Sequence, residues 1–234
     1  MNKLPLTLLL DREAFWKTLR GGGVGWAGVA RMAGFVVAAC AVYGAVMAGW
    51  RSPLLVLYAA VKLPLLFAGS TALVALFNWM VAAALGSGLS FRQTLALAFA
   101  AMTIAGWILL ALAPVALFFA LTGVPKTGAA PDNVIIYAYN MMLMTHVVAL
   151  AIAGVAGNAI LYRGLRSTVR PNCSPICLFA AWVAAFAIIS CQLSWILRPF
   201  VGSPFLEVAF YREDAFRSNF FEMVFTKIIP ALFK

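Results

Sequence analysis

The sequence contains one histidine, His146, and this is its clearest candidate for chemistry. His146 lies inside a long apolar stretch, and an ionisable group at membrane depth is a functional candidate by default because burying it is costly. Its imidazole is able to relay a proton or ligate haem, although a two-histidine haem site would need a second histidine. The alternative, which we favour, is a neutral imidazole hydrogen-bonded to Asn78 or Gln192 on another helix.

Uncharged polar residues share this apolar setting. Four residues form a candidate intramembrane polar cluster: Asn78, Asn140, His146 and Gln192. With Asn158 and Ser194 they are able to line a path for a solute. Coupled transporters, however, usually have buried carboxylates or broken helices near the midplane. No aspartate or glutamate lies in a predicted span, and Pro114, a predicted kink, is the only interior break. The pattern favours helix contacts over transport.

Motifs for catalysis or metal binding are weak. A Ser-His-Asp arrangement would have to use His146, and no G-x-S-x-G motif occurs. Glu213 and Asp214 are adjacent, but helix neighbours point about 100° apart and make a poor acid-base pair. Cys173 and Cys177 have C-x-x-x-C spacing, but a zinc site needs two more ligands. We predict a protein that is not an enzyme and that binds no metal or cofactor.

The overall composition indicates what must position these residues. The chain is 65% hydrophobic and 10% charged, whereas soluble domains have about 45–50% and about 25%. Lipid permits only helices or closed barrels, and the long unbroken apolar runs favour helices. The net charge of +10 comes from basic residues at the ends of these runs. The lipid bilayer, and not nucleic acid, is therefore the expected partner of this charge.

We predict an all-α polytopic membrane protein with about five transmembrane helices and amphipathic interfacial helices at both ends. It forms one integral membrane domain over residues 1–234. The predicted spans are residues 29–50, 63–85, 94–121, 134–161 and 175–197, followed by an interfacial tail at 205–234. Ala149, Ala153 and Gly157 recur at four-residue spacing, which predicts close helix contact. Lys62 lies just before the second span and is expected to snorkel to the interface.

The first 23 residues have the pattern of an interfacial segment. Asp11 is placed to cap a short helix, and Phe15, Trp16 and Leu19 give that helix an apolar side. The preceding run at residues 4–10 is short and leads directly into charged residues without a small-residue cleavage site. We therefore expect no cleavable signal sequence.

The distribution of lysine and arginine predicts the orientation. With the N-terminus inside, nine basic residues lie in inner segments and three in short outer loops. The inner set is Lys3, Arg12, Lys17, Arg20, Arg31, Arg92, Arg163, Arg166 and Arg170, and the outer set is Arg51, Lys62 and Lys126. The positive-inside rule thus predicts a cytoplasmic N-terminus and a periplasmic tail.

The stretch from residue 190 to residue 222 is predicted to contain a docking surface. Pro199 disfavours helix at the residue before it, and Gly202 and Pro204 favour turns, so the chain leaves the last span along the surface. A helix from about Asp214 to Ile229 is predicted to lie flat with its aromatic residues on the buried side. The candidate docking residues are Arg198, Phe216, Arg217, Phe220 and Phe221.

Arg217 indicates what this tail helix contacts. It falls inside the apolar arc, where lipid penalises a cation, whereas a protein surface is able to supply an acidic partner. Glu213, four residues earlier, is placed to pair with it. We predict contact with another subunit or with the protein's own periplasmic surface.

Two sequence patterns resemble a known family. LLDREAFWKTLR, a first span and then PLLVLYAAVKLPLL are similar to the opening of bacterial Yip1-like membrane proteins. SWILRPFVGSP, FYRED and NFFE resemble the tail of uncharacterised bacterial multi-span proteins given the same label. The resemblance implies five spans, a cytoplasmic N-terminus and no established catalysis.

These observations lead to two functional hypotheses of different classes. The first is a non-catalytic structural, assembly or accessory subunit of a larger complex in the bacterial inner membrane, with other membrane protein subunits as partners. The second is a small-solute channel or transporter. Flux through the purified protein in liposomes distinguishes them.

Overall fold

The computed structural model describes residues 4–125, 129–212, 215–217, 219–228 and 230, and these residues are predominantly helical. The helices are α1 (Leu4–Leu10), α2 (Arg12–Arg20), α3 (Trp26–Ala48), α4 (Pro53–Pro64), α5 (Ser70–Ala84), α6 (Phe91–Thr122), α7 (Asp132–Thr168), α8 (Pro175–Leu197) and α9 (Phe220–Met223). Five helical segments are long and apolar enough to cross a membrane: Trp26–Ala48, Pro53–Ala84, Phe91–Thr122, Asp132–Thr168 and Pro175–Leu197. The predicted all-α polytopic fold is confirmed.

The second span begins at Pro53 and not near residue 63, as the sequence had indicated. The Ser52 hydroxyl accepts a hydrogen bond from the Leu55 amide (3.2 Å), and proline suits the first position of a helix. Pro64 lies inside the helical segment and has no N–H to donate. A π-helical turn at Leu65–Gly69 follows and joins α4 to α5. The proline is therefore accommodated by a local change in hydrogen bonding.

Small residues allow the central helices to approach closely. α3 packs against α4 and α6, and α6 packs against α7. A Cβ atom at Gly44 of α3 would overlap the Ala59 carbonyl of α4, and one at Gly157 of α7 would lie 3.0 Å from an α6 carbonyl oxygen. Ala149, Ala153 and Gly157 are all buried. The close contact predicted from their spacing is confirmed.

The α2 helix has the predicted amphipathic form. Asp11 Oδ1 accepts a hydrogen bond from the Ala14 amide (3.0 Å), which caps the helix. Phe15, Trp16 and Leu19 are buried, and α2 packs against α7. We call the end of the bundle that contains α2 the α2 side.

The α1 helix packs against the side of the helical bundle. Trp107 Nε1 donates a hydrogen bond to the Pro5 carbonyl (3.3 Å), and Leu8 is fully buried. Trp107 lies 16 residues beyond the start of α6 at Phe91, which is about 24 Å along the helix. The leucine-rich helix α1 therefore lies alongside α3 and α6, well away from the α6 end that contacts α2.

The chain after α8 is less helical than predicted. Residues 198–212 are irregular, and we call this segment the strap. Residues 215–217 form a turn, α9 begins at Phe220, and a π-helical turn follows at Val224–Ile228. Asn219 Oδ1 accepts a hydrogen bond from the Glu222 amide (2.8 Å). This cap begins the helix later than the amphipathic pattern indicated; Glu213 and Asp214 lie outside the described residues.

Candidate functional site

A cavity of about 320 Å³ lies within the helical bundle at the level of the spans. Residues of α3, α5, α6, α7 and α8 border it, together with Phe67 of the first π-helical turn. Its lining is mainly alanine, glycine and larger apolar residues and, among the described residues, includes no charged side chain. Small-molecule sites have volumes of about 300–1,000 Å³ and mostly apolar walls with a few polar groups. This cavity has both properties.

Asn78 is the polar group that distinguishes this cavity. It lies on α5 and is only 3% exposed. Its backbone carbonyl accepts a hydrogen bond from Trp182 Nε1 of α8 (2.9 Å). Its side-chain oxygen Oδ1 has no hydrogen-bond partner among the described residues. Leaving a buried acceptor unpaired costs about 1–3 kcal/mol, so an unpaired oxygen on a residue that borders a cavity needs an explanation.

The other polar side chains of the lining bond within their own helical segments. Thr71 Oγ1 donates to the Phe67 carbonyl (2.7 Å), and Ser190 Oγ donates to the Ala187 carbonyl (3.3 Å). Asn158 Nδ2 donates to a carbonyl one turn earlier in α7 (3.0 Å). The unpaired Asn78 oxygen is therefore a property of one residue and not of the whole lining.

His146 forms a separate polar contact. It is 2% exposed, and its Nδ1 lies 3.3 Å from the Tyr43 hydroxyl of α3, with the two rings edge to face. Tyr43, and not Asn78 or Gln192, is thus its partner. The other ring nitrogen, Nε2, has no hydrogen-bond partner among the described residues. The contact joins α3 to α7, as expected of an interhelical polar bond.

The structure does not bring the four candidate polar residues into one hydrogen-bonded cluster. Asn140 is exposed on α7. Gln192 Oε1 accepts a hydrogen bond from the Phe220 amide (3.2 Å) and so links α8 to α9. Sequence reasoning missed Tyr43 and Trp182, the partners that hold His146 and Asn78. Each adds one polar atom to a mostly apolar helix, which is a weak signal in a sequence rich in aromatic residues.

A second group of polar contacts lies at the opposite end of the bundle from α2, which we call the tail side. Lys62 is fully buried, and its Nζ donates a hydrogen bond to the Pro199 carbonyl (2.9 Å). The same Nζ lies 4.7 Å from the Phe210 ring centroid and 5.8 Å from that of Tyr58. The expectation that Lys62 snorkels to the interface is wrong, because the strap covers it and supplies a carbonyl and an aromatic face.

Further side chains bind the strap through its carbonyl groups. Trp50 Nε1 donates to Val201 (3.0 Å), and the Tyr139 hydroxyl donates to Gly202 (2.6 Å). Gly202 has a φ of +79°, and a Cβ atom there would lie 2.8 Å from a Leu55 side-chain carbon. Glycine is therefore required where the strap passes over α4. Donors from α4, α7 and the α3–α4 connection thus fix the strap.

The candidate docking residues occupy two environments. The Arg198 guanidinium carbon lies 3.4 Å from the Trp195 ring centroid. Phe220 and Phe221 are half-buried with their rings edge to face. Phe216 is 73% exposed, and Arg217 is also exposed. Within the described part of the chain, the predicted aromatic face is only partly covered.

Comparisons with protein-family models, with curated proteins and with solved structures found no match. The resemblance to Yip1-like proteins therefore stays a prediction.

Proposed function

We propose that this protein is a non-catalytic accessory or assembly subunit of a larger membrane protein complex. The observation that supports this proposal is the aromatic surface beyond α8. The Gln192 contact and packing against α8 hold α9 on the bundle, yet Phe216 and Phe225 on either side of α9 are 73% and 66% exposed. Exposed apolar groups held on an ordered segment are typical of a surface that another protein covers.

The charge beside this surface indicates the kind of partner. Arg217 is exposed next to Phe216. Aromatic and arginine side chains contribute most often to the energetic centres of protein interfaces. The expected occupant is therefore a different membrane protein with an acidic surface at the tail side. An anionic lipid surface is the competing occupant that the experiment must distinguish.

The experiment is quantitative mass spectrometry of proteins that co-purify with the tagged chain from its native membrane. Phe216→Ala combined with Arg217→Glu removes the aromatic group and reverses the charge. We expect the recovered amount of the partner protein to fall about tenfold or more, which corresponds to about 1.4 kcal/mol of binding free energy. The purified protein alone in liposomes is expected to give no solute flux.

Two control variants make the result specific. Phe118→Ala removes a similarly exposed phenylalanine (61%) from α6, and Arg12→Glu reverses a charge on the α2 side. Neither should change the recovered partner. Equal losses in all three variants would show a general effect on the membrane protein. An unchanged partner, or loss only of anionic lipid from the purified sample, would overturn the proposal.

The proposed location is a bacterial inner membrane, with the N-terminus in the cytoplasm and the tail in the periplasm. Basic residues near α2 and at the α2-side ends of α6 and α7 support this orientation through the positive-inside rule. A cysteine at exposed Arg166 should be labelled only after the membrane is opened, and one at Lys126, outside the described residues, from the periplasm. The opposite labelling pattern would reverse the orientation.

A further inference from the structure

We propose that the cavity beside Asn78 binds an uncharged lipid-like alcohol, with the ligand hydroxyl donating a hydrogen bond to Asn78 Oδ1. Asn78 is 3% exposed, it lines the cavity, and Oδ1 has no partner among the described residues. Oδ1 itself is buried, and a rotation of the carboxamide, whose terminal torsion is broad, turns it toward the cavity. A hydroxyl hydrogen from a ligand then supplies the bond that the protein does not. This site is independent of the tail surface and of the proposed accessory function.

The lining restricts the charge of the ligand. Among the described residues, no lysine, arginine, aspartate or glutamate borders the cavity. A charged headgroup placed there would lose its hydration without gaining a counter-charge, which is strongly unfavourable. The side chains of Thr71 and Ser190 donate to carbonyls of their own helical segments. Asn158, the other carboxamide of the lining, is exposed and donates within α7. Asn78 is therefore the lining residue with a buried, unpaired acceptor, and we assign to it the selection of the ligand's polar group.

The helix packing indicates how such a ligand reaches the site. Only Leu178 and Trp182 of α8 are buried. The next turns of α8, including Val183 and Phe186, border the cavity. The side chains of these turns are only partly covered by protein, which leaves a side of the cavity toward the lipid phase, where long-chain alcohols partition. An apolar chain in the cavity would contact the walls while its hydroxyl meets Asn78.

The test uses a long-chain primary alcohol with a photoreactive diazirine in its chain, added to the protein in lipid nanodiscs. After illumination, the labelled residues are mapped by mass spectrometry. We expect saturable labelling of cavity-lining segments of α5 to α8. Unlabelled alcohol of the same length should compete, and its methyl ether, which lacks the donor hydrogen, should compete about fivefold to tenfold less well.

Three variants separate the site from general lipid contact. Asn78→Leu should reduce the saturable labelling about fivefold to tenfold, because one hydrogen bond is lost. Asn140→Leu is the matched control, since Asn140 is exposed and does not line the cavity. Gly154→Leu should reduce the labelling by filling the cavity, because nothing lies within 4 Å of a Cβ built at Gly154.

Any of three results would overturn the proposal. The first is labelling distributed over the lipid-facing helices without saturation. The second is equal competition by the alcohol and its ether, which would show that lipid chains fill the cavity without using Asn78. The third is equal labelling of the wild type and the folded Asn78→Leu variant. If Asn78→Leu does not fold, the comparison of alcohol and ether still tests the hydrogen bond, and Gly154→Leu tests whether the ligand occupies the cavity.

Discussion

Lys62 and Asn78 lie on the same continuous helical segment, Pro53–Ala84, and both are buried, but their polar atoms have different environments. The Lys62 ammonium group donates to the Pro199 carbonyl and lies beside two aromatic rings. The Asn78 side-chain oxygen has no partner among the described residues, and the residue borders a cavity. The two residues are 16 positions apart, so about 24 Å of helix separates them.

The contrast between Lys62 and Asn78 shows that buried polar groups on one span have different roles when their partners differ. A buried charge is tolerated where fixed partners surround it, and such a group then determines where the neighbouring chain lies. A buried acceptor without a partner lowers stability, and a donor from outside the protein that reaches it would remove that cost. We therefore assign Lys62 to the attachment of the strap and Asn78 to ligand recognition.

The largest effect is expected from Lys62→Met. This variant removes a charge-assisted hydrogen bond and the aromatic contacts, and it leaves the Pro199 carbonyl unpaired. We expect the free energy of unfolding to fall by about 2–3 kcal/mol and the strap to detach from the bundle. Limited proteolysis at residues 199–210 and thermal unfolding in nanodiscs measure both effects. Lys17→Met, an exposed change on α2, is the control. If the strap of Lys62→Met stays as protected from proteolysis as that of the wild type, Lys62 does not attach the strap and the contrast with Asn78 fails.

A slightly smaller effect is expected from Gly44→Ala. Its Cβ atom would overlap the Ala59 carbonyl and push α4 away from α3. Overpacking of this kind costs about 1–3 kcal/mol, and we expect about 2 kcal/mol. Gly34→Ala on the same helix is the matched control, because nothing lies within 4 Å of its added Cβ. Thermal unfolding of the two variants tests whether the α3–α4 contact stabilises the span that carries Lys62 and Asn78. Similar stabilities of the two variants would show that it does not.

The sequence predicted the spans better than the sites. A helix that crosses the hydrocarbon core needs about 20 apolar residues in a row. Apolar runs of that length therefore located the five helices. The spacing of Ala149, Ala153 and Gly157 likewise predicted a close contact. The start of the second span was wrong because Lys62 and Pro64 indicated a break. The strap, which makes Lys62 a buried group, lies more than 130 residues away along the chain.

The choice of polar partners was not predictable from pattern alone. Helical periodicity gives the face of a residue but not its depth or the neighbour opposite it. His146 and Tyr43 are 103 residues apart, and nothing local distinguishes Tyr43 from other aromatic residues near it. The unpaired Asn78 oxygen is similarly a property of the assembled bundle. The α9 start was missed because the local cap at Asn219 determined it.

A small effect is expected at the His146–Tyr43 contact. His146 is intermediate between the paired Lys62 and the unpaired Asn78, because one ring nitrogen is hydrogen-bonded and the other has no partner among the described residues. His146→Gln and Tyr43→Phe should each be tolerated, with a coupling energy of about 0.6 kcal/mol in a double-mutant cycle. Unfolding in nanodiscs provides the energies, and co-purification provides a functional measure. Loss of the recovered partner with intact folding would indicate that the imidazole does more than join α3 to α7.

The smallest effect on stability is expected from Asn78→Leu. Leucine has a similar size, and the lost carboxamide oxygen makes no hydrogen bond within the described residues. Trp182 still donates to the backbone carbonyl at this position, so the α5–α8 contact is kept. Replacing an unsatisfied buried acceptor with an apolar group is nearly neutral or stabilising, and we expect a change within about 0.5 kcal/mol. Thermal unfolding of ligand-free protein should therefore match the wild type while labelling by the photoreactive alcohol falls. A loss of about 2 kcal/mol or more would mean that the folded protein already pairs this oxygen, and Asn78 would then be a structural residue like Lys62.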